Sequence, residues 1–274
     1  MNMSESEAQS LRDLLGRRPS RIEIDSAALE IARIEYPDLD AGDFIGELDR
    51  LALAIADRAR DLSDGRNFVE AANEYLFGEL GFRGDEEDYY NPANCCLNRV
   101  LETKRGIPIT LSIVYIEIGR RLAKHVSGVG LPGHFVIRYD DPAYSAIIDP
   151  FHGGAILDAH QCCQLAQVES LEPGMLDAVD RRHIALRLIN NLRGIYFTRG
   201  DGAKALQVLD LLIEAAPESA DEHKQRAVAL LEQHRIPEAL TAFKRYLELA
   251  PETPDREHIE NQIRDLAFWL ASRN

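Results

Sequence analysis

The stretch from Asn94 to Gly154 constrains the chain most, because it sets one long apolar segment directly before two short β segments that carry a histidine and an aspartate. In Ile109 to Lys124 the polar positions Thr110, Glu117, Arg121 and Lys124 recur at helical rather than alternating spacing. Pro108 reads as the first helical residue, since its missing N–H costs nothing there and its fixed φ is already helical. A helix apolar around most of its circumference is a buried one. After a turn region at Gly128–Gly133, His134 to Tyr139 alternates as a strand does, Asp140-Asp141-Pro142 turns the chain, and Ser145 to Asp149 forms a second strand. The spacing therefore predicts a buried helix whose N-terminus points at a hairpin that offers His134 on one strand and Asp149 on the next.

That order of elements, with the segments NPANCCLNRVLETKRGIPITLS, GLPGHFVIRY and IIDPFHGG, resembles the transglutaminase-like superfamily and, within it, the bacterial SirB-type family. The resemblance runs from about Ile24 to the C-terminal repeats. It implies an α+β fold: a helical N-terminal region, a papain-like core with an antiparallel sheet, and then an α-helical tetratricopeptide array. It also places His134 and Asp149 at the general-base and orienting positions. Active members of the superfamily carry a cysteine at the start of the buried helix, where the helix dipole and the histidine favour the thiolate. Here that place reads Ile109-Thr110-Leu111-Ser112, so Thr110 and Ser112 are the only hydroxyl substitutes.

Other residues near this region suit structural work better. Asn91, Asn94 and Asn98 cluster just before the helix start, where asparagine caps helices and bonds turns; Asn94 and Asn98 are also candidates for lining a pocket. Cys95-Cys96 precede the helix by more than ten residues and read as small buried hydrophobes. His152, His160, Cys162 and Cys163 lack the spacing of a metal motif, and adjacent cysteines point different ways in helix or strand. Neither a metal nor a cofactor is expected. The two adjacent cysteine pairs fit a reducing compartment rather than a disulfide framework.

A net charge of -15 argues against nucleic acid, where Lys and Arg must neutralise phosphates. The best apolar run is interrupted by Glu117, Arg120 and Arg121, so no membrane span is expected. The polar N-terminus lacks a signal-peptide core, which makes the cytoplasm the expected location.

In chain order, residues 1–20 read as a loose leader, followed by a helix from Ile24 to Glu35 closed by Tyr36-Pro37. Asp40 is an expected N-cap for a helix carrying Phe44, Leu48, Leu51, Ile55, Ala59 and Leu62, broken by Ser63-Asp64-Gly65. A third helix spans Asn67 to Leu80, Asp85-Glu86-Glu87-Asp88 reads as an exposed acidic turn, and a short helix covers Arg99–Thr103. The C-terminal part repeats: Ala205 and Ala239, Leu209 and Phe243, Leu212 and Tyr246, and Pro217 and Pro251 are each 34 residues apart, the tetratricopeptide period. Leu192 and Tyr196 supply first-helix positions, and Ile259 to Leu270 makes a capping helix. Expected domains are residues 1–175 and 176–274. Two repeats are fewer than the three or so that stand alone, so Leu192, Tyr196 and Trp269 are expected to pack against the front domain.

Three functions fit this pattern. The missing cysteine favours a non-catalytic regulatory scaffold that holds a protein or peptide on its repeats. The alternatives are a hydrolase or acyl transferase in which Thr110 or Ser112 attacks, His134 is the base and Asp149 orients it, and a module that binds a small ligand or modified peptide without chemistry.

Overall fold

The structure, a computed structural model, describes residues 16–272. Most of the expected leader therefore lies outside the described residues. The chain divides into two compact units, Arg17–Leu188 and a second that begins at Ile189.

In the first unit, three helices precede the site: α1 (Ile24–Ala32), α2 (Ala41–Arg58) and α3 (Gly65–Asn73). The Asp40 carboxylate caps α2 by accepting from the Gly42 amide, as expected, and Leu48, Leu51 and Ile55 are its buried stripe. The helix stops at Arg58, short of Leu62, because Ala59 is already extended. Asp64 caps α3, which starts at Gly65 and continues as a wider turn over Glu74–Glu79 before Gly81 adopts φ +72°.

A short helix α4 (Leu97–Thr103) leads to α5 (Pro108–Arg121), which begins at the expected proline. Every residue from Pro108 to Gly119 is buried. Helices α1, α2 and α4 pack on it from outside and the sheet from inside, which explains a helix with almost no polar face. It ends at Arg121 rather than Lys124, where the chain meets a buried ionic cluster. Arg120 and Arg121 both donate to Asp25 (3.1 and 2.8 Å) and to Glu117 (2.6 and 2.9 Å). Cations at a helix C-terminus also suit the macrodipole.

The sheet has five antiparallel strands in the order β4-β3-β2-β1-β5: β1 (Val126–Leu131), β2 (His134–Asp140), β3 (Ser145–Asp149), β4 (Ala155–Leu157) and β5 (Ala178–Val179). Strand β1 replaces most of the turn expected at Gly128–Gly133; only Pro132-Gly133 turns, with Gly133 at φ +68°. The glycine inside the strand has a packing reason. A Cβ on Gly128 would lie 2.6 Å from the Phe135 ring, so Gly128 permits close approach rather than a bend. Helix α6 (Ala159–Ala166) covers the face opposite α5, with Val129, Leu131, Val136 and Ala166 in one apolar cluster. Strand β2 is therefore buried on both faces over its central run Phe135-Val136-Ile137.

The second unit contains the remainder of α7 (Arg181–Arg199) and four helices, α8 (Gly202–Ala215), α9 (Ala220–Glu232), α10 (Ile236–Leu249) and α11 (Arg256–Ala271). The 34-residue register appears as burial. Ala205 and Ala239 have no exposed surface, Leu209 and Phe243 likewise, and Pro217 and Pro251 follow the ends of α8 and α10. Leu192 and Tyr196 are buried, whereas Trp269 is 40% exposed on α11 and is not a buried packing residue.

Candidate functional site

The approach to α5 is built by backbone groups that need partners. Asn91 caps the turn at Pro92 by accepting from the Ala93 amide (3.0 Å). Asn94 donates through Nδ2 to Asp85 Oδ2 (3.2 Å) and to the Asp88 carbonyl (2.8 Å), which ties the acidic turn inward. Asp85 is accordingly buried, so the segment 85–88 is not the fully exposed turn its charge suggests. The Asn94 carbonyl accepts from the Ile107 amide and from the Thr110 hydroxyl (2.9 Å). Asn98 is buried, and its Oδ1 has no hydrogen-bond partner.

On the sheet, His134 opens β2 and Asp149 closes β3, so the strand pairing brings their side chains together. His134 Nε2 lies 2.9 Å from Asp149 Oδ2. With the carboxylate as acceptor, Nε2 carries a proton, and in the neutral ring Nδ1 is the nitrogen that can accept one. Phe151 stands edge-on to the imidazole at 5.9 Å. The Arg187 guanidinium donates to the Leu131 and His134 carbonyls (3.0 and 2.6 Å) and clamps the β1–β2 turn that carries the histidine.

A third side chain joins the pair. His152 Nδ1 donates to the same Asp149 oxygen at 2.7 Å, and the two imidazoles lie nearly parallel, 5.7 Å apart. Asp149 Oδ1 accepts from the Phe151 and His152 amides (3.0 and 3.4 Å). The loop returns His152 to the carboxylate through Gly153 and Gly154, both in the left-handed region; a Cβ on Gly154 would strike the Phe77 ring at 2.4 Å. Asp149 is fully buried. Burial pushes its carboxyl pKa up, but hydrogen bonds from both imidazoles outweigh this and hold it below its ordinary value.

The expected nucleophile substitutes are placed differently. Thr110 gives its single hydroxyl proton to the Asn94 carbonyl, and Ser112 is fully buried with no hydrogen-bond partner for Oγ. Among the described residues neither hydroxyl bonds His134. Cys95, Cys96 and Cys162 are buried, and burial pushes the Cys95 thiol well above its ordinary value. His160 is exposed on α6. A cavity of about 740 Å³ is lined by Asp64, Arg66, Lys124, His125, Asp141 and Tyr144 among others, but by neither His134 nor Asp149. By sequence His152 is weighed only with His160, Cys162 and Cys163, without being joined to His134 and Asp149, and Arg187 is missed. His152 had a local signal, three residues after Asp149 in a Gly-Gly loop, whereas Arg187 had none, since it acts from 53 residues beyond His134.

A buried helix laid on an antiparallel sheet, with histidine and aspartate on adjacent strands and helical hairpins following, defines a transglutaminase-like domain joined to a tetratricopeptide array. Comparison with known families agrees: the transglutaminase-like superfamily matches residues 43–190, and the tetratricopeptide repeat matches residues 192–264. The chain belongs to the transglutaminase-like superfamily. It is 32% identical over 250 residues to a UPF0162 protein of Xylella fastidiosa strain Temecula1, covering 88% of this chain and 89% of that protein. UPF0162 protein PA3419 of Pseudomonas aeruginosa is 29% identical, over 84% of this chain and 85% of its own. F-box only protein 21 of Homo sapiens is 30% identical over 132 residues, 45% of this chain and 21% of that protein. No solved structure matches. Among the described residues no helix is long and apolar enough to cross a membrane.

Proposed function

We propose that the chain is a non-catalytic, regulatory protein-binding scaffold, in which the transglutaminase-like domain has kept its histidine and aspartate as structure and the repeats hold a peptide segment. The observation that carries this reading is the commitment of Thr110: its hydroxyl proton goes to the Asn94 carbonyl, so the one helix-start hydroxyl is used as a structural bond. A nucleophile needs a base within hydrogen-bond reach, and neither Thr110 nor Ser112 has His134 there. The buried Cys95 thiol is held protonated and does not replace them.

The tetratricopeptide match supports the binding half of the proposal. A groove of about 620 Å³ within the second unit is lined by Asp210, Glu214, His223, Arg226, Lys244 and Arg245, among others, and charges of both signs suit a polar peptide. The cytoplasm is the proposed setting.

The test has two arms. An acyl-type electrophile is expected to label neither Thr110 nor Ser112 in the native chain; labelling at either that disappears in His134→Ala would overturn the scaffold reading in favour of a hydrolase or acyl transferase. Affinity capture from cell extract should yield a partner with the full chain that is lost after the double charge reversal Arg226→Glu and Arg245→Glu. Capture unchanged by that reversal would remove the groove from the proposal.

A further inference from the structure

We propose that His134 Nε2, Asp149 Oδ2 and His152 Nδ1 form a binding site for a divalent transition-metal ion of the zinc class. These three ligand atoms lie within 4.8 Å of one another. Two imidazoles and a carboxylate are the donor set that such ions take, and three protein ligands leave coordination positions open. The bland alternative is a hydrogen-bonded cluster that only ties the loop to the sheet, and three features favour the metal.

The first is charge. Asp149 is fully buried, and among the described residues its side-chain partners are the two imidazoles and two backbone amides, with no Lys or Arg. The carboxylate is held by hydrogen bonds alone, and a divalent ion at Oδ2 would add a full compensating charge that no Lys or Arg supplies.

The second is orientation. Both backbone amides bind Oδ1, which holds the carboxylate so that Oδ2 faces the two rings, the supporting arrangement that metal ligands require. Arg187 fixes the backbone of His134 in the same sense.

The third is access and fit. His134 is only 10% exposed at its side chain, but His152 is 46% exposed, so an ion can enter along the His152 side and keep its open positions there. The present spacings to Oδ2, 2.9 and 2.7 Å, are those of hydrogen bonds. Around an ion with bonds of about 2.0–2.2 Å, tetrahedral ligand atoms stand roughly 3.3 Å apart. The two contacts to Oδ2 must open by roughly 0.4–0.6 Å while the ring nitrogens, which lie within 4.8 Å of each other, settle toward the same spacing, an adjustment that the Gly153-Gly154 loop behind His152 can provide. Protons balance without loss: the ring proton of His134 moves from Nε2 to Nδ1, that of His152 from Nδ1 to Nε2, and the freed lone pairs face the ion.

The inference is independent of the scaffold reading, since an ion can be bound without turnover. The experiment uses the full chain stripped by chelator, titrated with Zn²⁺ by calorimetry and with Co²⁺ by visible absorption. One equivalent of either ion should bind, Zn²⁺ should raise the melting temperature, and His152→Ala, His134→Ala and Asp149→Asn should each weaken binding by at least about tenfold. The paired substitution His160→Ala and Cys163→Ser should change nothing. Because His152 is half-exposed, His152→Ala should keep its far-ultraviolet circular dichroism; should it not, His152→Asn serves in its place. Absence of binding by the wild-type chain, binding undiminished in the His152 variant, or a thiolate charge-transfer band with Co²⁺ would each overturn the proposal.

Discussion

Replacing Asp149 by alanine tests whether the carboxylate organises the loop and both histidines. Four donors converge on it: the amides of Phe151 and His152 on Oδ1, and His134 Nε2 and His152 Nδ1 on Oδ2. Alanine leaves all four without their acceptor. His152 is half-exposed and can turn to water, but the Phe151 amide and the His134 ring are buried and cannot. Two buried unsatisfied donors at about 1–3 kcal/mol each set the scale, reduced by relief of carboxylate desolvation, so Asp149→Ala should cost about 3 kcal/mol. Asp149→Asn keeps an oxygen for the two amides and should cost about 1 kcal/mol, and His134→Ala, which removes one charge-assisted bond, should cost about 1–2 kcal/mol. His152→Ala should cost the least. The measurement is urea unfolding of chelator-treated protein near neutral pH, read from the midpoint at unchanged slope. Because the folded pKa of Asp149 is depressed, its stabilisation is present above the ordinary value of 3.8 and is lost as pH falls through the lower folded value. The gap between wild type and Asp149→Asn should therefore narrow as pH falls from 3.8 through the lower folded value. If Asp149→Ala unfolds within about 0.5 kcal/mol of wild type, or Asp149→Asn costs as much as alanine, the carboxylate does not hold the site as argued.

Ala239 is fully buried against Leu206, Leu230 and Phe243, so Ala239→Leu should overpack the repeat core and lower stability by about 1–3 kcal/mol; an unchanged melting temperature would contradict the repeat packing. Native alkylation followed by mass spectrometry should modify Cys163 first, and Cys95, Cys96 and Cys162 only after unfolding, because Cys163 alone of the four is partly exposed. In the ionic cluster the two carboxyls titrate with opposite sense. Burial pushes the Asp25 pKa up, yet Arg121 and the Ser26 amide bring it below its ordinary value, so Asp25→Asn should cost less as pH falls. Burial and the neighbouring Asp25 charge raise that of Glu117, so Glu117→Gln should gain on wild type as pH rises from the ordinary glutamate value of 4.5, a pair of trends that urea melts at several pH values would check.

Much of the frame was legible locally. Pro108 marked the start of α5, the alternation from His134 and the run from Ser145 to Asp149 marked two paired strands, Asp40 marked a cap, and the 34-residue period marked the repeats. These features are written in local steric and hydrogen-bonding preferences, which act over a few residues and so can be read from spacing. What only the tertiary structure decided depends on partners distant in the chain. Gly128 lies in a strand because the Phe135 ring needs its room; Thr110 is bound by the Asn94 carbonyl 16 residues earlier; Arg187 reaches back to the His134 carbonyl. Asp85 is buried despite its acidic neighbours because Asn94 offers it a donor. His152 belongs with His134 because both imidazoles reach one carboxylate oxygen, and that convergence exists only once β2, β3 and the Gly-Gly loop are in place. A polar side chain's partner is chosen by the space and the unpaired groups that folding brings beside it, and those are properties of the packed chain rather than of its neighbours in sequence.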